Sequence, residues 1–192
     1  MGDAVVGEDG LARCGWAGST PDYLDYHDTE WGRPIRDDNG LFERLSLEAF
    51  QSGLSWITIL RKRPAFRAGF AGFEIAKVAA FGEADIDRLL ADAGIVRNRA
   101  KIEAAISNAR AAAELPGGLA ELLWSFAPDP PRPRPSGNAS IPAVTAESQA
   151  MAKQLKRSGF RFVGPTTTYA LMQATGMVND HLASCFVQLD SP

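Results

Sequence analysis

Four residues carry the soft-ligand chemistry of this chain. Among its 192 residues there are two Cys and two His. They form two pairs at opposite ends, Cys14-x12-His27 and His181-x3-Cys185. Residues i and i+4 of a helix share a face, so His181 and Cys185 are expected to point at one spot. Cys14 and His27 would come from a short segment folded back. Two thiolates and two imidazoles suffice for a closed tetrahedral structural zinc site. Such a site would clamp the chain ends together and remove entropy from the unfolded state. The spacing leaves two alternatives open. His-x3-Cys also marks an ordinary helix face, and a Cys14–Cys185 disulfide would use the same atoms, though a reducing compartment disfavours it.

A second concentration of chemistry lies beside the first. Residues 14–31 read CGWAGSTPDYLDYHDTEW, with Trp16, Tyr23, Tyr26 and Trp31 among Asp22, Asp25, Asp28 and Glu30. Such a group is either a satellite hydrophobic cluster or a stacking pocket for a flat heterocycle. Glu48 sits in an apolar run beside Leu47, Ala49 and Phe50. It either faces water at a helix edge or is buried with a partner. A buried carboxylate would accept from an exocyclic amine and favour a cationic ring over a neutral one.

The third candidate is a turn. Leu89–Lys101 reads LLADAGIVRNRAK: a helix end, Gly94, an apolar pair, then Arg97, Arg99 and Lys101 opening the next helix. Backbone N–H groups at a helix start, with Arg and Lys, suit a DNA phosphate. The overall net charge of −3 argues against a polyanionic partner. Its distribution does not. Residues 1–60 carry −7, and residues 61–192 carry +4. Within residues 132–161 six basic side chains face Glu147 alone. That asymmetry permits a basic face on an acidic protein.

Helices must position these groups. Leu41, Leu45, Leu47, Phe50 and Leu54 follow a helical pattern. So do Ile102, Ala105, Ile106, Ala109 and Ala113. Asp85–Ala93 is expected to stop at a positive-φ Gly94. Thr145 offers an N-cap for a helix through Leu155 to Gly159. Pro165 opens another running to Gly176. No strand pair is evident, so the expected class is all-α. Residues 1–12 read as a loose tail and 13–192 as one unit. Pro128–Pro142, with six prolines, reads as an extended crossing between helical parts. A content of 45% hydrophobic and 22% charged residues excludes wholesale disorder. No run is long and apolar enough to span a membrane, and residues 1–8 do not read as a secretory signal. A cytoplasmic location is expected.

Taken together, these segments closely resemble the 3-methyladenine DNA glycosylase I family, a divergent branch of the helix-hairpin-helix glycosylases. The resemblance rests on RCGW (13–16), YHDTEWG (26–32), LFERLSLEAFQSGLSWITIL (41–60), DAGIVRNRAKI (92–102), WSF (124–126), KRSGFRFVGPTTTYALMQATG (156–176) and VNDH (178–181) ahead of Cys185. It spans about residues 13 to 186.

The resemblance implies an all-α fold with a hairpin-containing part, about 35–127. A zinc-clamped part would come from both chain ends, about 13–34 and 143–187, with the crossing at 128–142. It implies zinc on Cys14, His27, His181 and Cys185. Its base pocket maps onto Trp16, Tyr23, Tyr26, Glu48 and Trp56, with Glu48 the residue on which catalysis turns. Leu54 maps onto the region that probes the duplex where a base has left. The DNA anchor maps onto the hairpin with Gly94, Arg97, Arg99 and Lys101. Ala49 and Phe50 depart from a pattern that often has Gly after the pocket Glu. No catalytic Asp follows the hairpin, and no lyase Lys occupies the turn at 94–97. The implied reaction is monofunctional hydrolysis of 3-methyladenine from double-stranded DNA, releasing the free base, with no membrane and no obligatory protein partner. The rival is a non-catalytic DNA-binding protein on the same scaffold, which would not need Glu48, Tyr26 and Trp56.

Overall fold

The computed structural model describes residues 3–189. Among them the chain forms nine α-helices and one small antiparallel pair of strands. The strands are β1 (Ala4–Val6) and β2 (Ala12–Cys14). The helices are α1 (Pro21–Thr29), α2 (Asp38–Gln51), α3 (Trp56–Gly69), α4 (Ile75–Ala79), α5 (Glu83–Ala91), α6 (Arg99–Ala113), α7 (Gly118–Trp124), α8 (Ala146–Arg157) and α9 (Pro165–Ala174). No described helix is long and apolar enough to cross a membrane.

The strand pair corrects two expectations. Val5 pairs with Arg13 in register, so residues 4–12 are not a loose tail and the fold is mostly rather than wholly helical. Three-residue strands are too short to show alternation. The readable signal was the turn, where Gly10 sits at φ +78° and Asp9 Oδ1 accepts from Leu11 N–H.

The expected helices form for the expected reasons. Asp37 caps α2 through Gly40 N–H, Asn98 caps α6 through Lys101 N–H, and Thr145 caps α8 through Ser148 N–H. α9 opens on Pro165, and Gly176 beyond its end takes φ +75°. α1 follows the same grammar, with Thr20 accepting from Tyr23 N–H ahead of Pro21.

α2 is the central helix. Leu41, Phe42, Leu45, Leu47 and Phe50 are buried, and so are Arg44, Ser46 and Glu48. A helix covered on nearly every side is an interior one. Phe50 meets Phe66 at 4.7 Å between centroids, and Phe70 stacks on Phe73 at 5.4 Å. A truncation such as Phe66→Ala would cost about 3–5 kcal/mol. A smaller cluster of Cys14, Leu182, Cys185 and Val187 lies under Trp16, Trp31 and Phe186.

Gly94 plays a different part from the one its spacing suggests. α5 ends earlier, with Asp92 in an extended conformation at its C-cap. Asp92 Oδ1 accepts from Gly94 N–H at 2.7 Å, closing a side-chain-mediated turn. A Cβ on Gly94 would lie 2.8 Å from Ala65 Cβ. Glycine is needed there for close approach to α3, not for positive φ.

The Pro-rich stretch contains no α-helix, only a single 3-10 turn at Asn138–Ser140. Arg134 within it reaches the C-terminal segment, where its guanidinium donates to the carbonyls of His181, Leu182 and Cys185.

Candidate functional site

Two sites share one wall. The first is the meeting of the four soft ligands. Cys14, His27, His181 and Cys185 are all buried, and their ligand atoms lie within 4.8 Å of one another. Cys185 Sγ is 3.5 Å from His27 Nε2 and 3.7 Å from His181 Nδ1; Cys14 Sγ is 3.9 Å from His181 Nδ1. Tetrahedral coordination by thiolate and imidazole puts neighbouring S and N ligands about 3.6 Å apart. Both cysteines are free.

The imidazoles are held from behind. His27 Nδ1 is 2.7 Å from Asp28 Oδ1, and His181 Nε2 is 3.1 Å from the Trp31 carbonyl. Each outer nitrogen therefore donates outward, which leaves the inner nitrogen with its lone pair facing the sulfurs. Asp28 is itself fixed by the Arg13 guanidinium at 2.8 Å. Burial would raise the Asp28 carboxyl, but the hydrogen bond from Arg13, then that from His27, outweighs it and holds it low. These residues form a buried group fit for a metal ion.

One expectation about this site fails. His181 and Cys185 do not stand on a helix face: residues 178–189 form irregular turns, with Cys185 N–H bonded to the Leu182 carbonyl. The Arg134 guanidinium takes up carbonyls that a helix would have paired. Leu182 N–H points at Cys14 Sγ at 3.4 Å. The i,i+4 spacing survives as a tight loop rather than a helical turn.

The second site is a cavity of about 270 Å³. Trp16, Tyr23, Tyr26, Glu48 and Trp56, the set that the resemblance implies, line it together. Trp31, Ser19, Gln51, Ala170 and Gln173 complete it. Trp16 meets Tyr23 edge-on at 5.6 Å and Tyr26 meets Trp56 at 5.6 Å. The wall shared with the first site is aromatic: Trp16 lies 5.2 Å from the His27 ring and Trp31 4.7 Å from His181. α1 supplies the tyrosines, α2 the carboxyl and the start of α3 the indole. Tyr23 Oη accepts from Ile57 N–H at 3.0 Å, which pins α1 to the first turn of α3.

Two polar groups on residues that line this cavity lack protein partners. The Trp56 Nε1–H is buried without an acceptor. Glu48, only 6% exposed, makes no side-chain hydrogen bond among the described residues. Burial pushes its carboxyl up to about 8, while the Arg44 guanidinium one helical turn away opposes the rise. Arg44 is itself committed elsewhere. It donates to Glu30 Oε2, and Arg63 clamps the same carboxylate. Burial would raise Glu30, but the Arg63 hydrogen bond and charge, then Arg44, hold it at about 2. The cavity thus presents an aromatic slot and one buried carboxyl without a protein partner. A flat heterocycle offering an amine matches that set.

The residues proposed around the turn separate in space. Leu54 is exposed at 41% beside Gly53, whose φ is +81°. It lines a groove with Ser52, Thr166 and Thr167 that reaches Glu48. Gly94 and Arg97 lie on the α5–α6 connection, where Arg97 is exposed. Lys101 is not available there, because its Nζ is buried and donates to the carbonyls of Phe50 and Ser52 at 2.9 and 2.6 Å. It caps the C-terminus of α2 and thereby fixes the start of the Leu54 loop. Lys101→Ala is expected to cost about 1.5–3 kcal/mol in thermal or denaturant unfolding. Arg99 is paired with Glu83 and Asp87 and lies 3.5 Å from Glu103. Arg99→Ala should leave thermal unfolding nearly unchanged, because exposed ion pairs are screened by solvent.

Asp28, Gln51, Gln173 and Ser19 were not singled out from the sequence. Asp28 had a signal, since a carboxylate next to a candidate ligand His is a natural outer partner. Gln173 had none. Its Nε2 is held by Asp180 at 2.8 Å, a contact that only the fold creates.

The family model for methyladenine glycosylase matches residues 16–188. The chain is 47% identical over 179 residues to DNA-3-methyladenine glycosylase 1 of Escherichia coli K12, covering 91% of this chain and 96% of that one. It is 44% identical to the DNA-3-methyladenine glycosylase of Haemophilus influenzae, covering 90% and 96%. A crystal structure of a 3-methyladenine DNA glycosylase I superposes with a TM-score of 0.88 at 46% identity, over 92% of this chain and all of that one. The Staphylococcus aureus enzyme, solved for its recognition of 3-methyladenine, gives 0.86 at 35% identity over 94% and 96%. The chain belongs to the methyladenine glycosylase family.

Proposed function

We propose that this protein removes 3-methyladenine from double-stranded DNA by hydrolysis of the N-glycosidic bond, without a lyase step. One observation carries the reading: the aromatic cavity holds a buried carboxyl that no protein side chain or backbone group pairs. The amino group of an extruded adenine supplies the missing partner. One relative, a 3-methyladenine DNA glycosylase I 34% identical to this chain, was solved in complex with that base.

The chemistry follows from charge. Methylation at N3 makes the base cationic, so its bond to C1′ is already weak. A cation in the slot favours ionised Glu48 and drives its proton to water. When the bond breaks, its electron pair goes to the base, which leaves neutral. Water adds to C1′ and releases a proton. Glu48 then faces a neutral purine, takes its proton back and loosens its hold on the product. No catalytic Asp after the turn is needed when the leaving group is this good. Extrusion costs a few kcal/mol and is least costly for a damaged base.

The residues fit the remaining roles. Leu54 and its groove lie where the gap left by the base would be filled. The α5–α6 connection with Gly94 and Arg97 is the helix-hairpin-helix anchor for backbone phosphates. Arg99, engaged by Glu83 and Asp87, ties the start of α6 to α5 beside that anchor, and Lys101 positions the Leu54 loop. Structural zinc on Cys14, His27, His181 and Cys185 joins the segments about 13–34 and 143–187 into one unit with the hairpin part. When bound, it supplies a rigid cross-link and no reaction step. Chromatography of alkylated duplex DNA after incubation with the protein tests the proposal. Free 3-methyladenine should appear, with intact strands carrying abasic sites. Release of no base, or strand cleavage without added base or heat, would overturn it.

A further inference from the structure

α8 carries a ridge of cations without acidic partners among the described residues. Lys153, Lys156 and Arg157 stand at i, i+3 and i+4, on one exposed face opposite buried Met151, Ala152 and Leu155. Arg161 is exposed just beyond. Among the described residues none of the four enters an ion pair. Like charges at this spacing repel, and the helix dipole offsets part of that cost for Lys156 and Arg157 in the last turn.

The loop after α8 adds a second, separate observation. Gly159 ends the helix at φ +88°, and Phe162 takes φ +57° while remaining 38% exposed. An exposed aromatic in the left-handed region costs backbone strain and leaves apolar surface in water. The strained loop is nevertheless held in place. Buried Asn108 of α6 donates to the Arg161 carbonyl at 3.0 Å and accepts from its N–H at 2.7 Å. Phe160 and Val163 on either side are buried anchors. The pair Arg161–Phe162 is thus presented outward by design of its neighbours.

The ridge also has a direction. α8 packs on α9, and the first turn of α9 places Thr166 and Thr167 in the groove with Gly53 and Leu54. Cations, aromatic and groove lining follow one another along the chain from Lys153 to Thr167.

We propose that Lys156, Arg157 and Arg161, with Phe162, form a further contact surface for duplex DNA, gripping the backbone away from the extruded base. This rests on the reading of the protein as a DNA glycosylase, but its test does not depend on base release. Binding of a labelled duplex carrying a stable abasic-site analogue is measured against salt. For the wild-type protein the logarithm of affinity falls linearly with the logarithm of salt. The variant Lys156→Ala/Arg157→Ala/Arg161→Ala should lose about 0.9 of that slope for each phosphate released, some two to three units in all. Its affinity at low salt should fall by about tenfold or more. Its melting temperature and its binding of free 3-methyladenine should stay as in wild type. Phe162→Ala should weaken duplex binding severalfold with the slope unchanged, because it removes an apolar contact and no charge. A triple variant with the wild-type slope and affinity overturns the proposal. Loss of base release alone would leave this result standing and would count against the glycosylase reading instead.

Discussion

Glu48→Gln is expected to cut excision of 3-methyladenine by about 10- to 150-fold, the equivalent of losing a charge-assisted hydrogen bond of about 1.5–3 kcal/mol. The carboxyl is buried in α2 beneath the aromatic slot and rises to about 8 in the empty cavity. Two pH effects follow, with opposite signs. Binding the cationic base requires the ionised form, so kcat/KM should rise by up to tenfold per pH unit until about pH 8 and then level off. Glutamine has no such group, and its profile should be flat there. Stability runs the other way. A carboxyl with a folded pKa of about 8 and an unfolded value of 4.5 stabilises the fold fully below pH 4.5. That contribution is lost as pH climbs toward 8, by a few kcal/mol. Wild-type protein should therefore lose melting temperature between pH 5 and 8, while Glu48→Gln loses less. A parallel decline in both proteins would show that Glu48 is not buried and uncharged in the empty state.

Removing the metal is the second large perturbation. Purified protein is expected to carry about one zinc per chain by elemental analysis. Chelation, or Cys185→Ser, should lower stability by more than about 4 kcal/mol, which for a chain of this length means a fall of about 10 °C or more in melting temperature. The reason is topological. The four ligands join residues 14 and 27 to 181 and 185, and without the ion they leave buried thiols and imidazoles facing one another. Base affinity should suffer less than stability, because Trp16 and Trp31 touch the ligand rings but Glu48 and Trp56 stand on α2 and α3. Metal-free protein of unchanged stability, or a Cys14–Cys185 disulfide in the native protein, would contradict this.

Much of this is legible in the sequence, and particular residues show why. Counting two Cys and two His with none left over is enough to propose the four-ligand cluster. The apolar run around Glu48 leaves a water-facing edge and a buried site both open, and the fold buries it in the cavity with Trp16, Tyr23, Tyr26 and Trp56. The local conformation of the C-terminal ligands was misread. His181-x3-Cys185 has helical spacing, but Arg134, nearly fifty residues earlier, takes the carbonyls and holds a turn instead. Lys101 was misassigned for a similar reason. Its place at a helix start suits a phosphate, yet the carbonyls of Phe50 and Ser52 reach it first. Gly94 was right as a punctuation mark and wrong in its mechanism, since the constraint comes from Ala65 across the interface. The β1–β2 pair was missed because its strands are shorter than any periodicity can register. In each case the missing information was a partner distant in sequence.

An equilibrium titration of free 3-methyladenine, followed by tryptophan fluorescence, tests whether the aromatic cavity binds the base. Wild-type protein should show saturable quenching with one site per chain, as the base enters between Trp16, Tyr26 and Trp56. The double variant Glu48→Gln/Trp56→Ala removes the buried carboxylate and the unpaired indole together, and its affinity should fall by about 100-fold. Absence of saturable quenching in the wild-type protein, or equal affinity in the double variant, would contradict the assignment of this cavity as the base-binding site.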